Sequence, residues 1–354
     1  MKMKLAELIT NGKPDQYLVR PPYMIAEAGV NHEGSMDLAK RLIEEAAEAG
    51  ARAIKFQTYK ASTLASKDSP SYWDRTKEPT ASQFELFKKY DSFWKNEYED
   101  LKKCCDEFNI EFMSTAFDAE SAVFLNDLMD VFKISSSDIT NHPFIELQCS
   151  FDKPILLSTG ASYLDEIESA VAVINQYNVP FSLMHCVLNY PTQNENAHLG
   201  MIKSLQKHFP ENIIGYSDHT LPQDMEVCMN ATLLGAQILE KHFTHDKTLP
   251  GNDHYHAMDK NDLRKFNNLV DHTFTMLGDF EKKPLDSEEI SRKNARRSLV
   301  AVKNIPKGKV VETSDLTWKR PAHGVSPADI ASVVGRESVL DIEEDTILQY
   351  EMFK

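Results

Sequence analysis

Short apolar runs alternate with amphipathic stretches along most of the chain, from Tyr23 to about Leu277. The apolar runs have the length of buried strands, and the stretches between them repeat apolar residues at the three- and four-residue spacing of helices. Clear helical examples are Leu38–Ala49, Tyr163–Asn175 and Lys260–Leu277. The predicted strands begin at Met24, Ala51, Glu111, Val131, Pro154, Pro180, Asn212 and Gln237.

The number of strand–helix cycles decides between two α/β folds. Eight cycles in about 250 residues are typical of a (β/α)8 barrel, or TIM barrel. An open doubly wound sheet is the alternative, but it usually has fewer strands and a glycine-rich first turn, and the chain contains neither GxGxxG nor GxxxxGK[ST]. We therefore predict a barrel whose longest insertion, 59–96, builds the mouth of a site.

The pattern changes near residue 281. Residues 281–293 form a charged stretch with one proline, which is typical of a solvated linker. Beyond it the apolar runs are short and β-like, as at Ser298–Val302, Val310–Val311 and Ser338–Leu340. We therefore predict a barrel over 1–281, a linker over 282–294 and a small β-rich domain over 295–354.

Composition and charge exclude several kinds of partner. The chain has 354 residues, 42% hydrophobic and 26% charged, as in soluble globular proteins. Its net charge of −15 argues against nucleic acid or an anionic membrane. No apolar run approaches the ~18 residues of a membrane span, and the amino terminus does not resemble a signal peptide. Five scattered cysteines without a CxxC pair indicate reduced thiols and a cytoplasmic location.

Charged residues occupy strand positions that should face the barrel lumen, because alternate side chains of a barrel strand point inward. One interpretation is a structural layer of buried ion pairs. The other is an active site, since these residues lie at or near the carboxyl ends of strands. The predicted lumen set is Glu27, Lys55, Gln57, Lys133, Ser135, Glu240 and His242.

These residue types suggest anion and metal chemistry. Two lysines with nearby hydroxyls can bind a compact phosphate and carboxylate. His219 and His242 end adjacent predicted strands and could ligate one divalent metal, although a lone strand-end histidine is also a common polar core residue. Glu27 could then act as a general base. His254 and His256 could form a separate metal pair, but we expect them on a surface loop. The candidate hydroxyls are Ser135, Ser136, Ser158, Thr159 and Ser217.

The motifs around these residues resemble the sialic acid synthase family, which includes the N-acetylneuraminate, legionaminate and pseudaminate synthases. The resemblance implies a phosphoenolpyruvate (PEP)-using (β/α)8 barrel and a small domain similar to type III antifreeze protein (a SAF, or β-clip, domain). The small domain is matched by ARRSLVAVKNIPKG at 295–308 and KRP at 319–321. The barrel motifs are IAEAGVNHEGS at 25–35, AIKFQT at 53–58, HCVLNYPT at 185–192, GYSDHT at 215–220 and EKHFT at 240–244.

The resemblance also implies a reaction and its residues. PEP would condense with an open-chain N-acyl amino hexose to give a sialic-type nonulosonic acid for surface polysaccharide, with Glu27 as the catalytic carboxylate. His219 and His242 would hold Mn²⁺, with Mg²⁺ or Co²⁺ as alternatives. The implied PEP pocket is Lys55, Thr115, Lys133, Ser135, Ser136, Ser158 and Ser217. The implied acceptor contacts are Gln57, Asp138, Tyr190 and Asp253, with Arg320 entering from the partner subunit of a domain-swapped homodimer.

The sequence departs from the family pattern in places that concern mainly the acceptor. Leu188 stands where a polar residue is usual, GNDH with Asn252 replaces GPDH, and Ala322 replaces a glycine. The run YHAMDK at 255–260 replaces a KASLEP-like run. An unsubstituted or phosphorylated hexose is therefore an alternative acceptor. More distant alternatives are a metal-dependent hydrolase and a non-catalytic sugar- or metal-binding protein.

Overall fold

The structure, a computed structural model, describes residues 3–14, 19–251 and 253–354. The chain divides into two compact units, Met1–Gly278 and Asp279–Lys354. Asn252, one of the departures from the family pattern, lies outside the described residues. No helix in the described ranges is both long enough and apolar enough to span a membrane.

The first unit contains eight parallel strands in the order β3-β2-β1-β8-β7-β6-β5-β4, and the end strands β3 and β4 lie side by side. The predicted barrel is therefore confirmed, and every strand begins within two residues of its predicted start. The strands are β1 Tyr23–Gly29, β2 Ala53–Thr58, β3 Glu111–Ala116, β4 Phe132–Ile134, β5 Ile155–Ser158, β6 Phe181–Cys186, β7 Ile214–Asp218 and β8 Ile238–His242.

Helices follow the strands and begin at polar caps. The side chains of Ser35, Asp118 and Asp259 accept backbone N–H groups of the first helical turn that would otherwise lack partners. The helices are α1 Leu5–Asn11, α2 Met36–Glu48, α3 Ala61–Leu64, α4 Gln83–Tyr90, α5 Lys95–Glu107, α6 Ala119–Leu125, α7 His142–Cys149, α8 Leu164–Gln176, α9 Gly200–His208, α10 Glu226–Leu233 and α11 Lys260–Leu277.

The lumen is layered, with an apolar floor below a polar rim. Leu5 and Ile9 of α1 pack against the floor at the amino ends of the strands. Two residues further along most strands, the inward side chain becomes polar or charged, as in Ala53 followed by Lys55. The strand residues of the floor are Tyr23, Ile25, Ala53, Met113, Val131, Leu156, Met184, Ile213 and Ile238. The period-two alternation of β-strands therefore gathers the polar residues at the carboxyl ends.

The second unit is small and rich in β-structure. Strands β9 Ser298–Ala301 and β10 Leu316–Lys319 pair in antiparallel fashion over an apolar core that includes Leu299, Val325 and Leu348. Helix α12 Glu289–Ala295 lies within the stretch that we interpreted as a linker, and its residues are exposed as expected of a solvated segment. The predicted small β-rich domain is confirmed, although β10 was not among the predicted runs.

Candidate active site

Four buried charged residues form one connected group at the carboxyl ends of the strands. Lys55 forms an ion pair with Glu27, donates a hydrogen bond of 3.0 Å to Thr115 Oγ1, and lies 3.8 Å from Glu240 Oε1. Lys133 lies 2.7 Å from the same Glu240 oxygen. The ion pairs of the first interpretation are therefore present, and they lie where barrel enzymes place their active sites, as the second interpretation requires.

The two carboxylates of this group differ in proton affinity. Burial raises the pKa of Glu27 to about 7, and Lys55 only partly opposes this effect. Burial would also raise the pKa of Glu240, but the positive charges of Lys133 and Lys55 lower it to about 2. Glu240 therefore remains ionised at neutral pH, whereas Glu27 can gain or lose a proton there. That property suits a general acid or base.

Polar neighbours hold these groups in place. Gln57 Nε2 donates to Glu27 Oε1 at 3.1 Å, and Ser217 Oγ donates to Glu240 Oε1 at 3.2 Å. Ser136 Oγ accepts the backbone N–H of Gly160 at 2.8 Å. The buried hydroxyl of Ser158 has no hydrogen-bond partner among the described residues. A buried polar group without a partner is costly, so this hydroxyl is a candidate ligand contact.

Two predicted site residues, Ser135 and Asp138, contact residues that are close to them in the sequence. Ser135 Oγ and Ser137 Oγ are 2.7 Å apart, and Asp138 accepts a hydrogen bond of 3.2 Å from Asn141. Asp138 is half-buried, and burial raises its pKa. The contacts of Ser135 and Asp138 therefore belong to the turn after β4, and their roles remain predictions.

His219 and His242 approach each other at the ends of β7 and β8, with ring centroids 5.5 Å apart. His219 Nδ1 donates to the Val187 carbonyl at 2.8 Å, which leaves Nε2 for a ligand. His242 Nδ1 lies 3.6 Å from Asp253 Oδ2 and has no hydrogen-bond partner among the described residues. The ring of Tyr190 lies 4.2 Å from that of His219. These features fit a metal site, because ligating imidazoles need one free nitrogen each.

The expectation that His254 and His256 lie on a surface loop is wrong, because both are buried. The chain turns back after β8, and the backbone N–H of Met258 donates to the His242 carbonyl at 2.8 Å. His254 bonds Thr244, with 2.8 Å between Nδ1 and Oγ1. Candidate ligand atoms of His242, Asp253 and His256 lie within 4.8 Å of one another. The structure thus brings His256 into the site, which sequence reasoning missed.

A second buried ion pair lies on the helix-facing side of β7 and β8, next to the residues of the site. Lys241 Nζ lies 2.6 Å from Asp218 Oδ2, and both side chains are almost fully buried. Asp218 also accepts hydrogen bonds from Tyr216 and from the backbone N–H of Thr220. This pair fixes the turn that carries His219. Asp218 and Lys241 alternate with the lumen residues and hence face the helices, where periodicity predicts apolar side chains, so only a search for opposite charges on neighbouring strands could have located the pair.

We expect Lys241→Met to destabilise the protein by about 3–5 kcal/mol, because Asp218 would keep a buried charge without its partner. The measurement is the free energy of unfolding in urea. Lys102→Met is the control, since Lys102 forms a pair with Asp106 on the helix surface, and such pairs contribute about 1 kcal/mol or less. Equal losses in the two variants would contradict a supporting role for the inner pair.

The predicted insertion lines a cavity beside the histidines. The aromatic side chains of Tyr72, Trp73 and Tyr90 line this cavity together with His242 and Asp253. The cavity is also lined by Val30, Asn31, Gln57, Tyr59, Leu86, Phe87, Tyr190, Gly251 and His254. An aromatic wall facing polar groups is a common arrangement in small-molecule sites. The insertion 59–96 therefore lines this cavity, and its role as the mouth of the site remains a prediction.

Two departures from the family pattern, Leu188 and Ala322, belong to different units of the chain. Leu188 lines a separate cavity near Cys186 and His185. Arg320 is exposed in the small unit, and the backbone N–H of Ala322 donates to the Lys293 carbonyl at 2.8 Å. The proposed role of Arg320 at a partner's site is therefore still a prediction.

Fold and site together define a class of protein: a (β/α)8 barrel that combines a buried group of lysines and carboxylates with a candidate metal centre. The NeuB family model matches residues 42–282, and the SAF domain model matches residues 296–354. The chain belongs to the NeuB family and ends in a SAF domain. The resemblance stated from the motifs is thereby confirmed, as is the enzyme class, a transferase of the PEP-condensing synthase type.

Similar proteins extend over nearly the whole chain. The N,N'-diacetyllegionaminic acid synthase of Legionella pneumophila is 36% identical over 93% of this chain and 94% of its own length. The human N-acetylneuraminate-9-phosphate synthase is 31% identical over 94% of this chain and 92% of its own length. The solved N-acetylneuraminic acid synthetase of Leptospira borgpetersenii is 35% identical, with a TM-score of 0.67, and the match covers 77% of this chain and 90% of that structure.

Proposed function

We propose that this protein condenses PEP with an open-chain N-acyl amino hexose, giving a nonulosonic acid and inorganic phosphate. The observation that carries the proposal is the buried group of Glu27, Lys55, Lys133 and Glu240, which offers two cations for an anionic substrate and one carboxyl that titrates near neutrality. The relatives named above act on related sugars, which supports the class of acceptor. The acid would serve surface polysaccharide synthesis.

PEP would bind where the two lysines meet the hydroxyl groups. Lys55 and Lys133 would contact its phosphate and carboxylate, and the partnerless hydroxyl of Ser158 would donate to one of their oxygens. Phosphate and carboxylate oxygens need several donors, which hydroxyl side chains can provide. The remaining residues of the proposed pocket are Thr115, Ser135, Ser136 and Ser217.

The metal would be held by His219 and His242, with Mn²⁺ as the favoured ion and Mg²⁺ or Co²⁺ as alternatives. The free Nδ1 of His242 and the orientation of His219 support this assignment. When bound, such an ion supplies Lewis-acid polarisation of the acceptor's aldehyde oxygen. Gln57, Asp138, Tyr190 and Asp253 are the proposed contacts to the acceptor sugar.

The proposed bond changes assign distinct tasks to the side chains. The C2=C3 π electrons of PEP form the bond from C3 to the aldehyde carbon while Lys55 and Lys133 hold PEP in place, and the aldehyde C=O π bond opens to an alkoxide. Water then adds at the electron-poor C2, and Glu27 accepts one of its protons, which balances the proton taken up by the alkoxide. The remaining C2 hydroxyl becomes the C2 carbonyl as the bond from C2 to the phosphate oxygen breaks, and its proton leaves with inorganic phosphate. Gln57 fixes the Glu27 carboxylate through its hydrogen bond. Holding the two substrates in contact is a large source of rate, with effective molarities of ~10⁵ M or more in well-oriented systems.

Phosphate release against a panel of acceptors tests the proposal. The panel contains N-acetylmannosamine, its 6-phosphate, a diacetylated diamino hexose and unsubstituted mannose, each with PEP and Mn²⁺. We expect phosphate only when PEP and an N-acyl amino sugar are both present. Release with mannose alone among the sugars would favour the unsubstituted acceptor, and release from PEP without sugar would indicate a hydrolase. Metal binding without turnover of any sugar would indicate a binding protein.

We also propose that the active form is a domain-swapped homodimer in the cytoplasm. All five cysteines are buried, unpaired thiols, which supports a reducing compartment. Arg320, exposed on the small unit, would contact the acceptor in the partner's barrel. The guanidinium would donate to an acyl oxygen or a hydroxyl of the sugar.

Arg320→Ala is expected to raise the KM for the sugar by about tenfold or more, the effect of losing a charge-assisted hydrogen bond, with little change in the KM for PEP. Steady-state kinetics with each substrate varied in turn provide the measurement. Mixing Arg320→Ala subunits with Glu27→Gln subunits should restore part of the activity, because one site of the mixed dimer carries neither change. Subunit exchange without recovery would contradict a role across the interface.

A further inference from the structure

His256 is a buried histidine whose surroundings do not satisfy it. Its side chain is fully buried, and neither ring nitrogen has a hydrogen-bond partner among the described residues. A neutral imidazole carries one donor and one acceptor, so both are normally paired when buried. Leaving either of them unpaired in the interior is unfavourable. The structure therefore requires an explanation for a histidine at this position.

The nearest polar groups to His256 are those expected of a metal site. Its ring centroid lies 4.8 Å from that of His242, closer than the 5.5 Å between His219 and His242. Candidate ligand atoms of His242, Asp253 and His256 lie within 4.8 Å of one another. Two ligands on opposite sides of an ion are about 4.4 Å apart when each bond is about 2.2 Å long. Small rotations of the side chains would thus suffice to close the set around one ion.

The segment carrying His256 is fixed to the end of β8. The backbone N–H of Thr244 donates to the Met258 carbonyl at 3.0 Å, and the Tyr255 hydroxyl donates to the Tyr190 carbonyl at 3.1 Å. This segment is the run YHAMDK at 255–260. The histidine is therefore held in place by backbone contacts that do not depend on its own side chain.

We propose that His256 is a further ligand of the metal, so that it joins His219 and His242 as a third imidazole, with the carboxylate of Asp253 offered to the same ion. The proposal rests on the proposed function only in requiring that a metal binds at His242. Imidazole nitrogen suits Co²⁺ and its neighbours in the transition series, whereas Mg²⁺ prefers oxygen ligands. His256 thus increases the preference of this site for Co²⁺ over Mg²⁺.

Titration of the metal-free full-length protein with Co²⁺ alone tests the assignment. Isothermal calorimetry gives the affinity, and the visible absorption of bound Co²⁺ reports its ligands. We expect His256→Ala to weaken Co²⁺ binding by at least tenfold and to change the absorption spectrum, with a smaller loss for Mg²⁺. His245→Ala is the matched control, because His245 also has a ring nitrogen without a partner among the described residues but is not in the ligand set. It should bind Co²⁺ within about twofold of the parent.

Unchanged Co²⁺ affinity and spectrum in His256→Ala would overturn the proposal. If that variant fails to fold, His256→Gln replaces it, and one of the paramagnetically shifted imidazole N–H resonances of the Co²⁺-loaded parent must be absent from its spectrum. Loss of Co²⁺ binding in His242→Ala but not in either His256 variant would reject His256 while the proposed metal centre stands. Absence of Co²⁺ binding by the parent itself would reject both.

Discussion

Glu27→Gln is expected to lower the turnover number by about 10²-fold or more, while PEP and metal still bind. The substitution keeps the shape of the side chain but removes the group that can accept a proton near neutral pH. The measurement is kcat at saturating substrates, combined with calorimetric titration of PEP. Near-normal turnover would place the proton transfer on another residue.

Glu240→Gln is the informative companion variant. Glu240 belongs to the same buried group, but its pKa of about 2 makes it a poor base at neutral pH. Its removal should therefore change the KM for PEP, through Lys133, more than it changes kcat. If Glu240→Gln lost turnover and Glu27→Gln retained it, the two roles would be exchanged.

Removal of the metal is the second change expected to have a large effect. Exhaustive chelation should reduce activity to background, because the aldehyde oxygen would lose its stabilising charge. Mn²⁺, Co²⁺ and Mg²⁺ should restore activity to different degrees. The assay is sugar-dependent phosphate release before and after each ion is added back.

His242→Ala tests whether the loss of activity after chelation is due to the metal at this site rather than to general effects of the chelator. This variant should remain folded and should need a much higher metal concentration for activity. Its free energy of unfolding and its metal titration can be measured on the same preparation. Full activity of the parent after chelation would show that the reaction requires no ion.

The barrel could be predicted from the sequence because its evidence is local and periodic. Most strands combine an apolar run with an inward polar residue near the end, as in Ala53 and Lys55. Alternation alone therefore assigned Lys55 and Lys133 to the lumen, and the structure brings both to Glu240. Their roles toward PEP remain predictions, because spacing identifies neighbours rather than ligands.

Two features could not be predicted from periodicity. The return of the segment after β8 depends on a tertiary hydrogen bond from Met258 to His242, which carries no signature in the local sequence. The pair of Asp218 and Lys241 contradicts the usual rule that helix-facing strand residues are apolar. A search for opposite charges on neighbouring strands would have found that pair, whereas the burial of His256 required coordinates.

The buried lysines already have acidic partners, and this has a consequence for how substrate enters. The two ammonium groups of Lys55 and Lys133 are each paired with a carboxylate, so an incoming phosphate meets no unpaired lysine within this group. If PEP binds there, it must replace Glu240 as the partner of Lys133 or share Lys133 with it. The net binding free energy is then the difference between the ion pair with PEP and the ion pair with Glu240. Simple anions such as sulfate should then compete weakly. Because each lysine already has an acidic partner, an anion binds there only when the other atoms of that anion also form contacts with the site.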